Sequence, residues 1–263
     1  MTSQIRAELG AARGSWLGRY GEPTPIRRRG AFLLASATRQ SDGQPCVVLV
    51  PGPEADRARA ADAFVRIERA HRAVRVACVP EVTARGTFQE IPYLELGCDA
   101  VIDGADLHRV LIDSGQRADL GAAAAMAIEL GRALRAAHEG PDGRAPRPAC
   151  LGRLSYANLL FARSGRFYLV GFGHNFPVEK ACGLPDGEVT TFQAPEVALG
   201  GAPSPVGDHL ALHLLLRSLL PLLDLGAVLP RVLFGDPGPG EAEILDCLRW
   251  PDVHLLAEPP SRR

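Results

Sequence analysis

The sequence predicts an α+β protein in which a small, mostly β part precedes a larger, mostly helical one. Three observations predict this. Within the first hundred residues, apolar or alternating runs at 31–37, 46–50 and 91–96 are separated by turn chemistry such as Ser41-Asp42-Gly43, as strands are. After Gly97 the pattern becomes helical, at 107–111, at 120–138 and in a strongly apolar stretch from Asp208. A length of 263 residues suffices for one large domain or two lobes around a cleft.

The elements follow in order. Residues 1–18 contain no continuous apolar core, so they are no signal peptide and read as an N-terminal helical extension. One helix interrupts the early strands, because Phe64, Ile67 and Val74 fall at helical spacing between 56 and 76. Asp119 opens the alanine-rich helix at 120–138. The segment GPDGRAPRPA (140–149) is a Gly- and Pro-rich loop. Two short strands, 159–163 and 167–170, meet through Ser164-Gly165, and a loop-like region runs on to Gln193. No internal repeat is visible. The organisation is 1–18, then a small lobe at 19–97, then a large lobe at 98–263.

Composition narrows the function classes. With 46% hydrophobic and 22% charged residues the chain has an ordinary soluble balance, and a net charge of −1 argues against a broad grip on nucleic acid or acidic membranes. The most apolar stretch, 210–234, carries Arg217, Asp224, Arg231 and two prolines, which suits a buried helix and its connection rather than a membrane span. Six scattered cysteines without a C-x-x-C pair fit reduced thiols, so a cytoplasmic location is expected. Of 29 basic residues 28 are arginine, and the single lysine is Lys180.

Four segments, in order, resemble the protein kinase family, specifically its bacterial serine/threonine type, over roughly residues 19–220. IPYLELGCDAVIDGADLHRVL (91–111) is similar to the last small-lobe strand, the hinge and the first large-lobe helix. LSYANLLFARSGRFYLVGFG (154–173) resembles the catalytic loop, its β-hairpin and the DFG turn. TTFQAPEVALGG (190–201) resembles the end of an activation segment, and GDHLALHLLLRSLL (207–220) the long buried helix after it. The implied fold is the two-lobed kinase one, with a shortened C-terminal end because only 55 residues follow Asp208.

The resemblance also implies where phosphotransfer groups belong, and those slots are altered. Gly171 stands where a carboxylate holds Mg²⁺, and Arg153, aligned through Asn158, where an acid orients the attacking hydroxyl. The phosphate-binding lysine slot on the third strand falls on Leu49 or Val50, and Lys180 lies too far along to fill it. Its glutamate partner on the small-lobe helix falls on Ile67 or Glu68; Ile67 is favoured, packed against Leu49 or Val50. The phosphate-covering loop over IRRRGAFL reads Arg28, Gly30 and Leu33, one glycine of three, with Arg27, Arg28 and Arg29 as a solvated charge run at a turn. The resemblance leaves structural roles for Phe172 between the lobes, Leu151 beneath it, and Asp208 as a buried acceptor for the catalytic-loop backbone. Glu196 would pair with a late arginine, for which Arg249 is a candidate, and Asn158 would cap the loop backbone rather than bind metal.

The expected function is therefore that of a pseudokinase, a non-enzymatic protein-binding or allosteric regulatory module in bacterial signalling whose partner is another signalling protein such as an active kinase. The alternatives are a sensor that binds ATP or adenosine without Mg²⁺ in a residual cleft of Gly30, Glu95, Leu96, Cys98 and Asn158, and a weak or atypical ATP-dependent serine/threonine kinase. No cofactor, metal, nucleic acid or membrane is expected. His209 and His213 have a zinc-compatible i, i+4 spacing but lack a glutamate or third ligand, and Ser155 with His174 lacks a hydrolase motif.

Overall fold

The computed structural model describes residues 19–29, 32–53, 55–140, 149–152, 154–173, 192 and 194–219. Gly30, Arg153, His174, Lys180, Arg249, the 1–18 extension and the end of the large lobe beyond 219 lie outside the described residues.

Five antiparallel strands form the first sheet: β1 Thr24–Arg29, β2 Phe32–Thr38, β3 Pro45–Pro51, β4 Val82–Phe88 and β5 Ile91–Leu96, in the order β1-β2-β3-β5-β4. The sequence runs reveal β2, β3 and β5 but not β1 or β4. Arginines occupy half of β1, and β4 alternates exposed positions with only half-buried ones, so neither presents a strong apolar signal.

Alternation along the strands gives the sheet two apolar faces. Leu34, Val47, Leu49, Leu94 and Leu96 share one face with Phe64 and Ile67 of helix α1, Arg57–Ala73. Leu33, Val48, Val50 and Tyr93 lie on the other face, with Tyr20. Asp56 starts α1, its carboxylate accepting from the Ala58 and Arg59 N–H groups, which have no partners within the helix.

The second part begins with β6, Ala100–Asp103, and α2, Gly104–Ser114. Asp103 caps α2 by accepting from Asp106 N–H at 2.8 Å, and Gly115 ends it at φ +65°. Helix α3 spans Leu120–Glu139, capped by Asp119. A short 3-10 turn, Tyr156–Asn158, leads into β7, Leu159–Ala162, and β8, Phe167–Leu169. With β6 these form a three-stranded antiparallel sheet, β6-β7-β8. The single turn α4, Pro195–Ala198, and the long α5, Pro205–Leu219, complete the described chain.

Leu130 and Leu134 of α3, Leu151, Leu154, Leu159, Leu169 and Phe172, and Leu215 of α5 make the core of this part. Each such side chain removed from water contributes about 1.5–3 kcal/mol. Among the described residues, no helix is long and apolar enough to cross a membrane.

Candidate functional site

Among the described residues, the altered slots Leu49 and Ile67 fall at the junction between the two parts. Leu49 and Ile67 belong to one buried cluster, together with Phe64 of α1. Val50, the other candidate, is corrected by the register: it pairs with Leu33 and faces the opposite side of the sheet, because neighbouring strand residues alternate. Glu68 turns away from the junction toward Arg72, at 2.7 Å, and Arg85 of β4, at 2.5 Å.

The same cluster crosses into the second part. Ile26, Val47, Leu96 and Cys98 are buried together with Leu160, Ala162 and Val170, so the walls of the expected cleft pack in one core. The backbone beside them is engaged as well. Cys98 N–H donates to Leu96 C=O and Gly97 N–H to Glu81 C=O, each at 2.9 Å.

Two charged residues of this region are buried, and one of them, Arg27, differs from expectation. Glu95, whose backbone the sequence puts at the hinge of the residual cleft, pairs with Val48, and its carboxylate is buried on the far face of the sheet. There it accepts from the Tyr20 hydroxyl at 2.6 Å, from Arg39 at 2.8 Å and from the Thr83 hydroxyl. That carboxylate also raises the Tyr20 hydroxyl's pKa, after the larger effect of burial. Arg27 is not part of a solvated turn. It lies inside β1, buried, with its guanidinium 3.3 Å from the carboxylate of Asp103 at the start of α2. Burial raises the Asp103 carboxyl above its ordinary range, against the lowering effects of the Asp106 N–H and Arg27.

On the loop side, Asn158 is buried and both ends of its amide are engaged. Its Oδ1 accepts from Ser155 N–H and Oγ, both at 3.0 Å, and its Nδ2 donates to Val170 C=O at 2.8 Å. Gly171 follows at φ +115° and Gly173 at φ +78°, conformations that side chains disfavour. A Cβ on Gly173 would lie 2.9 Å from the backbone of Arg66 and Ile67, so α1 rests directly on this turn. Phe172 between them is fully buried, meets the His71 ring edge-on at 5.9 Å and shares its core with Leu151. Gly171→Asp is therefore expected to destabilise the protein by about 1–3 kcal/mol through backbone strain. A denaturation midpoint equal to that of the parent would show that the backbone there is not held.

Asp208 is buried on α5. Its oxygens accept from Leu151 N–H at 2.8 Å and Gly152 N–H at 2.6 Å, and the His138 Nε2 lies 2.9 Å away. His138, Cys150 and Asp208 bring ligating atoms within 4.8 Å of one another, but the aspartate oxygens already hold the loop backbone. Burial, with the Asp208 charge, pushes the Cys150 thiol up to about 11, so it is protonated at neutral pH. His209 touches the His138 ring edge-on, 5.3 Å between centroids, and is not in that cluster. Glu196 is exposed and accepts from Ser204 Oγ at 3.4 Å.

Sequence reasoning missed Arg27, Asp103, His71 and His138. Only Asp103 left a local signal, an Asp-Gly pair opening a helical pattern. The others act through partners distant in sequence or hidden in side-chain packing.

No family model matches the chain, and no curated protein matches it. Solved structures do. Crystal structures of the Mycobacterium tuberculosis PknI kinase domain superpose with TM-scores of 0.54 and 0.52 at 17% and 18% identity, each covering 87% of this chain and 95% of that one. A double-mutant form of the same domain gives 0.53 at 17% identity, over 88% of each chain. The chain has a protein kinase-like fold. The first sheet with α1 forms the small lobe of that kinase-like fold and the helical part the large one, and the buried junction lies between them.

Proposed function

We propose that this kinase-like chain transfers no phosphate and works in the cytoplasm as a pseudokinase, a protein-binding or allosteric module of bacterial signalling whose partner is another signalling protein such as an active kinase. The observation that carries the reading is the single buried cluster joining Leu49, Val47, Leu96 and Ile67 to Leu160 and Val170 across the lobes. By the resemblance, phosphoryl transfer needs Mg²⁺, a lysine and an acid in this region. Gly171 offers no ligand, Leu49 no charge and Arg153 no base.

The remaining metal-binding type, Asn158, spends its oxygen on Ser155. A nucleoside sensor fits less well, because an adenine needs accessible walls and free backbone donors. Here the walls are buried and the Gly97 and Cys98 N–H groups already donate.

A thermal-shift titration with ATP, ADP and adenosine, each with and without Mg²⁺, tests this. A ligand of the native state at about 100 times its Kd stabilises it by about 2.7 kcal/mol. No shift is expected with any of the six. A Mg²⁺-dependent shift with ATP would restore the enzyme reading, and a Mg²⁺-independent shift with adenosine the sensor reading.

A further inference from the structure

Behind the junction, the C-terminal end of α1, the connector to β4, the start of β4 and the β7–β8 turn enclose a cavity of about 830 Å³. That volume lies in the range of about 300–1,000 Å³ typical of ligand sites. Its floor is Val74, Val79 and the Tyr168 ring, all buried, with the Tyr168 hydroxyl donating to Asp99 at 2.6 Å. Its rim is cationic. Arg72, Arg75 and Arg166 are exposed there, with Glu81 in the lining and Glu68 paired to Arg72.

Partners within the protein account for only part of this rim. Arg72 is paired with Glu68, at 2.7 Å, and Arg166 is hydrogen-bonded to the Tyr168 side chain with the Asp99 carboxylate nearby, but Arg75 has no hydrogen bond or ion pair among the described residues. Arginines in the last turn of a helix complement its dipole. Arg75 lies beyond the α1 cap at Val74, however, and Arg166 comes from the distant β7–β8 turn, so the dipole explains neither. Arg75 is thus the member of the group that no acid pairs among the described residues.

We propose that this groove binds a short acidic peptide segment of the partner protein, with an apolar side chain on the Val74–Tyr168 floor and carboxylates against Arg75 and Arg166. This rests on the protein-binding reading and supplies the surface and the chemistry of the partner. Guanidinium groups suit the role because they present planar, forked donors to carboxylates. An apolar floor under a charged rim divides the work between burial and recognition.

The test is fluorescence anisotropy on the full chain with a set of labelled heptapeptides, each carrying Asp or Glu on both sides of a central Leu, Ile or Phe. Matched peptides carry Asn and Gln instead. Acidic members are expected to bind saturably and to weaken as salt is raised. The amide peptides, and the acidic ones on the variant Arg75→Glu/Arg166→Glu, are expected to bind at least about tenfold more weakly, equivalent to about 1.4 kcal/mol. Both arginines are exposed, so the variant's melting temperature should match the parent's.

Equal binding by the variant, equal binding of the amide peptides, or no saturable binding by any acidic member overturns the proposal. The nucleotide titration reads the other hypothesis separately. Mg²⁺-dependent ATP binding with peptide binding intact sinks the pseudokinase reading alone, whereas no response to peptides or nucleotides sinks the groove alone.

Discussion

Asp208→Ala is expected to lower stability by about 4 kcal/mol or more, a large share of the roughly 5–15 kcal/mol that holds a typical domain together. The carboxylate is wholly buried and accepts from two backbone N–H groups, those of Leu151 and Gly152, beside the His138 ring. Alanine would leave both N–H groups unpaired away from water, at about 1–3 kcal/mol each, and would strand the imidazole. Asp208→Asn keeps one oxygen, so it should cost clearly less. Urea denaturation followed by circular dichroism separates the variants. If the alanine variant melts like its parent, the loop at Leu151 does not depend on α5.

Arg27→Met is expected to cost about 3–5 kcal/mol, because it leaves the Asp103 carboxylate buried without its cation. Adding Asp103→Asn should return stability to within about 1 kcal/mol of the parent. Asparagine still accepts from Asp106 N–H to start α2, and no charge remains buried. The deficit of the single variant should also depend on pH. The Asp103 carboxyl is raised in the native state chiefly by burial, and removing Arg27 raises it further. A raised acid favours the native state while protonated and loses that contribution as pH rises through its native value. The deficit should therefore be full at neutral pH and shrink as the solution is acidified toward the ordinary carboxylate range. A deficit that is the same at both ends of that interval would mean Asp103 does not ionise in the native protein.

Much of the architecture is legible in one dimension because its signals are local. The runs at β2, β3 and β5 alternate or are continuously apolar, and α1 and α3 carry caps at Asp56 and Asp119 with periodic apolar residues behind them. β1 escapes because Arg27 is judged by its charge, and its partner lies in a different lobe. β6 escapes because a run of only four residues cannot be told from a linker until β7 pairs with it. The Leu49/Val50 ambiguity has the same origin. Both residues are apolar in a continuous run, and only the register with Leu34 and Leu33 assigns each to a face.

The sequence by itself determined that the chain lacks a carboxylate at Gly171, a lysine near β3 and an acid at Arg153, since residue identity is independent of folding. It also determined the order of strands and helices that resembles a kinase. Only the tertiary structure decided that Leu49 and Ile67 share a core with Leu160 and Val170, that Asn158 is consumed by its own loop, and that Arg27 reaches Asp103. Those facts depend on which faces meet and which buried polar groups find partners. Segments far apart in the chain acquire such relations only when burial and hydrogen bonding bring them together.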